Sequence, residues 1–567
     1  MAIIYNSLYR WVNNGELQVM PAPVDPATPD ALWQVDRARN MAAELAAAGV
    51  THYLLPPITM AQGGSAPNSD GYGKEYDYNI GQWPDRPTRW GPLELLMRAV
   101  GALNAHGIVV MEDSVIHQMD GGEAQHYPEI GADGKRGSGR DAKTPTCFSP
   151  AEPQDPVFDP AGNVAFGDRV TFLHCQPAGY MLEVVLRATT WRWQRAGLGG
   201  MRQDDTKGEN IAVTNDILNA PVLRDGFNFG ECFVGSVSEL QRWIAESGGK
   251  RTLDFPLHWA LQAVCDFGAS FRLLDGAGLA AVAPLQAITF VDTADTDLND
   301  GENIKFNKLW AYAFILLTEG SPAIYAGDYE RYGLSKEISN LAWISSMFAI
   351  GSTRTEYVDD GFIVLSRDGN GGKFGWSGGL LFALNRDPVN PRGEWVLGPF
   401  GPNALIHDYS GTMGDLRTNE FGWVYIEAPP NRNGSGRSYV AYAMAGVDKS
   451  IAKKPILTTQ RFVSDGDSLD IPFATTGVMR MPERIYAAKN QRIQIGLTAD
   501  NLPINGVLVA TVNAEDGSAV SWRRVGAGPG NYFGLVPATG WHTISIEGFK
   551  LPAEGVDFDL AVTYEGA

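Results

Sequence analysis

Gly200-Met201-Arg202-Gln203-Asp204-Asp205-Thr206-Lys207 is the stretch that decides the fold, because it sets an Arg two residues before an Asp where an apolar segment ends. Ahead of it, Met181 to Leu198 carries Leu182, Val185, Leu186 and Trp193 at the spacing of one helix face. Helix, Gly-rich turn, short strand and charged strand end form the unit of a βα barrel, whose chemistry sits at the C-terminal ends of its strands. A surface Arg-Asp pair after a helix explains this stretch equally well by itself, so its neighbours must decide.

Upstream, Leu17-Gln18-Val19-Met20 reads as the first barrel strand, followed by a helix from about Leu32 to Ala48. Val50 to Leu55 is a buried-type strand stopped by Pro56-Pro57. A loop from Ala61 to Gly73, rich in Gly, Ser and Asn, leads to Tyr76-Asp77-Tyr78, and such loops carry binding residues. The helix beginning at Leu93 stops at Gly107, before the strand Ile108 to Met111 and the segment Glu112 to Gln118. Residues 119–179 are irregular and too long for an ordinary connection, which predicts an insertion domain.

Downstream, Phe227 to Glu231, Leu253-Asp254 and Ala287 to Asp295 are further strand ends carrying carboxylates. A helix over Asn307–Thr318 and a strand over Pro322–Tyr325 complete eight βα units. From about residue 350 the pattern is short alternating strands separated by Gly, Asn and Pro. The predicted organisation is a (β/α)8 barrel formed by residues 1–118 and 180–350 with the insertion at 119–179. A β-sandwich over 351–447 and an additional β domain over 448–567 follow. In the last segment Trp522, Tyr532, Phe533 and Trp541 are expected to be core rather than a carbohydrate-binding face.

The formal charge of −20, from 65 acidic against 45 basic residues, argues against a nucleic-acid or anionic-membrane partner. Cys147, Cys175, Cys232 and Cys265 are too few and scattered for a disulfide framework or a clustered zinc site, leaving a Cys147–Cys175 bridge as one option. The opening residues do not read as a signal peptide, and no apolar run is long enough to span a bilayer. A soluble chain is expected, cytoplasmic unless a signal peptide has been removed.

Carboxylates at three strand ends suit hydrolysis of a glycosidic bond with retention, which pairs a nucleophile with a protonated acid about 5–5.5 Å apart. Asp204 is the expected nucleophile, kept ionised by Arg202. Glu231 is the expected acid, its proton retained through desolvation by Phe229 and Phe233. Asp295 is the third carboxylate, stabilising developing positive charge.

These residues resemble the α-amylase family of retaining α-glucan enzymes over about residues 17 to 446. Asp113 to Gln118 looks like the family's first region, Gly200 to Lys207 the second, Gly230-Glu231 the third and Phe290 to Thr296 the fourth. Asp254 to His258, Gly320 to Tyr325 and His407 to Gly411 add further matches. The resemblance implies Asp204 as nucleophile, Glu231 as acid/base and Asp295 as transition-state stabiliser, with Tyr76 stacking on the sugar ring. Asp77, Gln118, Lys207 and Arg202 are the accompanying substrate-binding residues. The implied partner is an α-glucan or oligosaccharide, acted on by a monomer.

The departures are specific. Gln118 and Ala294 stand where the family has sugar-binding histidines, so the activity is expected to be slow or directed at an unusual sugar. Gly208 replaces the His after the second region's Lys. His117 replaces an Asn associated with structural calcium, and an imidazole nitrogen suits calcium poorly. No cofactor is therefore assigned, calcium remains the open candidate, and the acidic run from Asp295 to Gly301 is expected to be a solvated loop. The primary expectation is hydrolysis of starch-like α-1,4 chains. Its alternatives are transglycosylation or isomerisation of short α-glucosides, and glucan binding without catalysis.

Overall fold

The computed structural model describes residues 2–13, 16–20, 33–81 apart from 62, 65 and 67, 88–120 apart from 117, 170–172, 179–371 apart from 300, and 378–447; beyond these it describes 455–464, 481–499 apart from 488 and 491, 505–514, 519–525, 530–549 apart from 537 and 539, and 556–565. His117, Cys147, Cys175 and nearly all of the expected insertion lie outside these residues, as do the side chains of Trp522, Tyr532, Phe533 and Trp541.

Eight parallel strands close into a barrel: β1 (Ile4–Asn6), β2 (His52–Leu55), β3 (Val109–Ser114), β4 (Gly200–Gln203), β5 (Phe227–Gly230), β6 (Arg251–Leu253), β7 (Ala287–Phe290) and β8 (Ser321–Tyr325). Their order around the barrel follows the chain. The first strand is not the expected one. Glu16–Val19 does form a strand, but it pairs with Arg10–Asn13 in a two-stranded ribbon. The barrel takes instead the fully buried Ile4 and Tyr5, which run parallel to Ala323 and Ile324 of β8.

Two compact units divide the chain. One comprises residues 16–46, 52–231 and 452–567. It contains β2 to β5 and the helices α1 (Gln34–Ala47), α2 (Leu93–Ala105), α3 (Tyr180–Ala196) and α4 (Ile211–Leu218). Gly197, at φ 72°, ends α3 in the left-handed conformation that a residue with a Cβ resists, and its N–H donates to the Trp193 carbonyl. Of the expected insertion, Gln118–Asp120 pairs antiparallel with Val170–Phe172.

The other unit comprises residues 1–15, 47–51 and 232–451. Around β6 to β8 it places α5 (Val237–Glu246), α6 (Phe255–Cys265), the short α7 (Ala294–Leu298), α8 (Lys308–Leu317) and α9 (Ser335–Phe348). Its β region comprises β9 (Thr353–Val358), β10 (Phe362–Arg367), β11 (Leu380–Asn385), β12 (Arg392–Leu397), β13 (Leu405–Asp408), β14 (Leu416–Arg417), β15 (Trp423–Ala428) and β16 (Tyr439–Met444). Six of these make one sheet, β9-β10-β11-β16-β13-β14, and β12 pairs with β15 in a ribbon. Phe362, Leu381 and Tyr442 of the sheet share a buried core with Val396, Val424 and Ile426 of the ribbon.

From residue 455 the described elements are all strands: β17 (Pro455–Ser464), β18 (Met481–Ala487), β19 (Arg492–Ala499), β20 (Val507–Ala514), β21 (Ala519–Val525), β22 (Gly530–Leu535), β23 (Gly540–Phe549) and β24 (Val556–Glu565). They form two four-stranded sheets, β17-β24-β19-β22 and β18-β23-β20-β21. No helix among the described residues is long and apolar enough to cross a membrane.

Candidate active site

Strand alternation sorts the charges. On β3, Glu112 turns toward α3, where Arg192 Nε donates to its Oε2 at 3.0 Å and Trp193 Nε1 to its Oε1 at 3.2 Å. Asp113, one residue on, is the register partner of Arg202 on β4. Gln203 alternates away from Arg202 in turn, and its Nε2 donates to the buried Glu209 at 2.6 Å. Burial pushes the Glu209 carboxyl up to about 8, against the opposing pull of Gln203, Thr214 and Lys74.

Arg202 is the centre of the site. Its Nη1 donates to Asp113 Oδ1 at 2.5 Å and to Asp204 Oδ1 at 2.9 Å, while Nη2 lies 2.7 Å from Glu231 Oε2. Tyr72 closes the cluster by donating its hydroxyl to Asp113 Oδ2 at 2.7 Å. Backbone bonds fix the carboxylates further: Asp204 N–H donates to Ser114 O at 3.1 Å, Glu231 N–H to Gln203 O at 2.9 Å and Asp205 N–H to Glu231 Oε2 at 3.2 Å. Asp205 adopts φ 40°, a left-handed conformation that an Asp tolerates better than most residues.

The electrostatics differ from the sequence expectation. Arg202 does pull the Asp204 carboxyl down, but burial, reinforced by the charges of Glu231, Asp113 and Asp205, outweighs it and leaves Asp204 well above the usual carboxylate range. Asp113 is raised by the same burial, and so is Asp205, with Glu231 and Glu209 adding to the effect. One guanidinium thus serves a crowded set of acids that retains protons. The expected apolar pair beside Glu231 divides: Phe229 is buried on β5, whereas Phe233 is exposed and packs edge-on against Phe255 at 4.7 Å.

The remaining expected residues take varied positions. Tyr76 is buried with Met60, Tyr78 and Ala188, and Trp191 packs against that cluster. Asp77 is enclosed with Lys74 at 2.8 Å. Gln118 is buried, its Nε2 donating to Tyr72 O at 3.4 Å while its Oε1 has no partner among the described residues. The Lys207 charge acts on Asp205, which it pulls down. Cys232 is buried.

Asp295 belongs to the other unit, on α7 beyond the end of β7. It is ion-paired with Arg10. The first part of the acidic run, to Leu298, is a capped helix rather than a loop: Thr293 Oγ1 accepts from the N–H groups of Asp295 and Thr296, and Thr296 Oγ1 accepts from Thr293 N–H. Its carboxylates have protein partners. Asp297 accepts the hydroxyls of Tyr325 and Tyr332 at 3.0 and 2.9 Å. Asp292 pairs with Lys308, which also holds Asp328 Oδ1 at 2.7 Å. Among the described residues no group of three or more His, Cys, Asp or Glu side chains could hold a metal ion; His117, on which the calcium expectation turned, lies outside them.

Sequence reasoning passed over Tyr72 and gave Asp113 no role. Asp113 opens the first matched region and was legible there, whereas Tyr72 lies in a Gly-rich loop with no signal of its own.

Comparisons with known proteins show what the chain is similar to. A family model described as "Alpha-amylase C-terminal" matches residues 380–443. An α-amylase of Geobacillus stearothermophilus is 25% identical over 460 residues, covering 69% of this chain and 81% of the relative. A cyclomaltodextrin glucanotransferase of Bacillus sp. (strain 38-2) is 27% identical over 267 residues, covering 41% of this chain and 36% of the relative. Among solved structures, a gamma-CGTase from alkalophilic Bacillus clarkii matches with a TM-score of 0.56 at 14% identity, over 98% of this chain and 97% of that one. At that identity the structural likeness speaks for the fold alone.

Proposed function

From its membership of the α-amylase family of glycosidases, we propose that this chain cleaves α-1,4-glucosidic bonds of starch-like glucans or maltooligosaccharides with retention of anomeric configuration. The observation that carries the reading is the single Arg202 guanidinium bonded to both Asp204 and Glu231. Carboxylates held this close are compatible with the roughly 5–5.5 Å separation of a retaining pair.

In this mechanism Glu231 protonates the glycosidic oxygen as Asp204 attacks the anomeric carbon, forming a glycosyl ester and releasing the leaving chain. Glu231 then takes a proton from a water that opens the ester. Asp204 must be ionised to attack. The raised carboxyls beside Arg202 therefore make the reaction depend on how Asp113 and Asp204 share their protons. Asp295 stabilises the oxocarbenium-like charge. Tyr76, Asp77, Gln118 and Lys207 are the proposed substrate-binding residues, and no step uses a metal.

Reducing-sugar release from soluble starch, maltooligosaccharides and pullulan tests the reading, with product anomers followed by NMR. Asp204→Asn and Glu231→Gln should each lower turnover by roughly 10³-fold or more with KM little changed. A rate for Asp204→Asn within tenfold of wild type would remove it from the nucleophile's role. A chelator series in the same assay is expected to leave activity unchanged.

Transfer rather than hydrolysis is the second reading, favoured by the likeness to a cyclomaltodextrin glucanotransferase. It shares the covalent intermediate and differs in what intercepts it. Longer products on adding an acceptor sugar would identify it.

A further inference from the structure

The helix α7 is five residues long and carries Asp295 in its first turn. A helix of that length has too few internal hydrogen bonds to keep its own place, so whatever fixes Asp295 comes from the residues around it. The Thr293 cap is one restraint. Beyond the cap, a ring of side chains leaves α7 and returns to it.

The ring is centred on Lys308, the first residue of α8. Its ammonium pairs with Asp292, just beyond β7, and lies 2.7 Å from Asp328 Oδ1, just beyond β8. Both carboxylates are fully enclosed and the lysine side chain is 11% exposed, so neither acid can exchange its counter-charge for water. From Asp292 the ring reaches α7 directly: Thr296 Oγ1 donates to Asp292 Oδ1 at 3.1 Å, and the Ile304 N–H donates to the same oxygen at 3.1 Å. From Asp328 it runs through two tyrosines. The Tyr312 hydroxyl donates to Asp328 Oδ2 at 2.8 Å and accepts from the Tyr325 N–H at 3.3 Å, while the Tyr325 hydroxyl donates to Asp297 Oδ2, back on α7, at 3.0 Å. Tyr332 closes a shorter path, with Lys308 Nζ 5.2 Å from its ring centroid and its hydroxyl donating to Asp297 Oδ1 at 2.9 Å. The backbone is shaped to the ring as well. Asp328 lies in a π-helical turn, Gly327–Arg331, a wide turn that occurs mostly at functional sites. A Cβ on Gly327 would stand 2.8 Å from the Tyr325 hydroxyl, so that side chain keeps its place only beside a glycine.

We propose that Lys308 is a positioning residue for Asp295: as the ammonium shared by Asp292 and Asp328, it anchors α7 through both arms of the ring and so fixes where the third carboxylate stands as the glycosidic bond breaks. The inference rests on the reading of the chain as α-glucan-active with Asp295 as the stabilising carboxylate. A carboxylate that stabilises developing positive charge acts in the transition state and not in substrate binding. Misplacing such a group by about 1 Å, from a change far from the chemistry, costs on the order of 10² in rate. Lys308 therefore contributes to turnover without touching the sugar.

Turnover on short maltooligosaccharides and hydrogen exchange over residues 292–299, both in the full chain, test the anchoring together. Lys308→Met should lower kcat roughly 100-fold with KM within about twofold of wild type, and should speed exchange across α7 by about tenfold or more. Tyr325→Phe removes only the hydroxyl on Asp297 and leaves every charge in place. It should move both readouts in the same direction by a smaller factor, and it keeps the test decisive if Lys308→Met does not fold. The Asp295→Ala background separates positioning from general weakening: there Tyr325→Phe should cost no further kcat, because its effect passes through Asp295, whereas a loosened fold costs the same in both backgrounds. Exchange over 292–299 equal to wild type in both variants overturns the proposal, as does an undiminished kcat penalty for Tyr325→Phe when Asp295 is absent. Failure of the active-site reading is seen separately, as a wild type without turnover on any short substrate, and removes the premise whatever the exchange shows.

Discussion

Arg202 is 5% exposed and contacts three carboxylates, so its loss leaves buried acids without their counter-charge. Arg202→Ala should destabilise the protein by about 3–5 kcal/mol near pH 8, the usual cost of breaking a buried ion pair. The penalty should shrink toward pH 5, where Asp113, raised by burial to about 6, takes up a proton. Denaturant unfolding at the two pH values measures it, and equal penalties at both would mean that Arg202 is not holding ionised acids. Glu209 gives a second pH signature. Its folded value of about 8 lies above the ordinary 4.5, so between these values the native chain holds a proton that the unfolded chain has released. Stability from this group is therefore complete below 4.5 and declines as pH rises toward 8. At roughly 1.4 kcal/mol per unit, the decline reaches at most about 5 kcal/mol. Glu209→Gln should flatten the pH profile of unfolding and be the more stable form above pH 8; a profile parallel to wild type would rule this out.

At the scale of elements, α7 shows how five residues set the position of one carboxylate. Thr293 caps it by accepting from Asp295 and Thr296 N–H, and Asp295 stands in its first turn. Thr293→Ala should cost about 1 kcal/mol of stability, with a fall in turnover larger than that loss explains, because the loosened turn carries Asp295. Melting temperature and kcat measured together separate the two effects; unchanged kcat would detach α7 from the chemistry. The cap was only partly legible in the sequence. A strand ending in a carboxylate predicts chemistry at that end, but the helical turn that begins at Ala294 follows from a Thr-to-Thr bond that apolar periodicity does not report. β1 was hidden for another reason. Three residues are too few to show a period, and their pairing with β8 joins positions more than 300 residues apart. The long apolar strands and helices, such as β3 and α2, were readable because burial writes a repeating pattern. The meeting of Asp113, Arg202, Asp204 and Glu231 depends on adjacent parallel strands in register, and only the family resemblance made it visible beforehand.

For the molecule as a whole, the segment after residue 447 distinguishes two ideas of how this chain is built. As an added domain it would melt on its own and leave the rest unaffected when removed. The described contacts argue for more: β18 lies along α2, and β17 touches both α2 and α3, which are helices of the barrel layer. Residues 452–567 accordingly fall into one compact unit with β2 to β5. Leu96, Val100 and Leu103 bury one side of α2, and a strand removed from that helix exposes further surface to water. A chain ending at residue 447 should therefore melt several degrees below the full chain, each ~1 kcal/mol lost being worth roughly 1 °C in a chain of 567 residues. Turnover on short maltooligosaccharides should fall with it, since α3 leads directly into the strand that carries Arg202. Calorimetry of both chains decides the matter. One lowered transition for the shortened protein supports a segment integral to the barrel half, whereas an unchanged barrel transition with loss of a separate second peak would make residues 448–567 an independent domain.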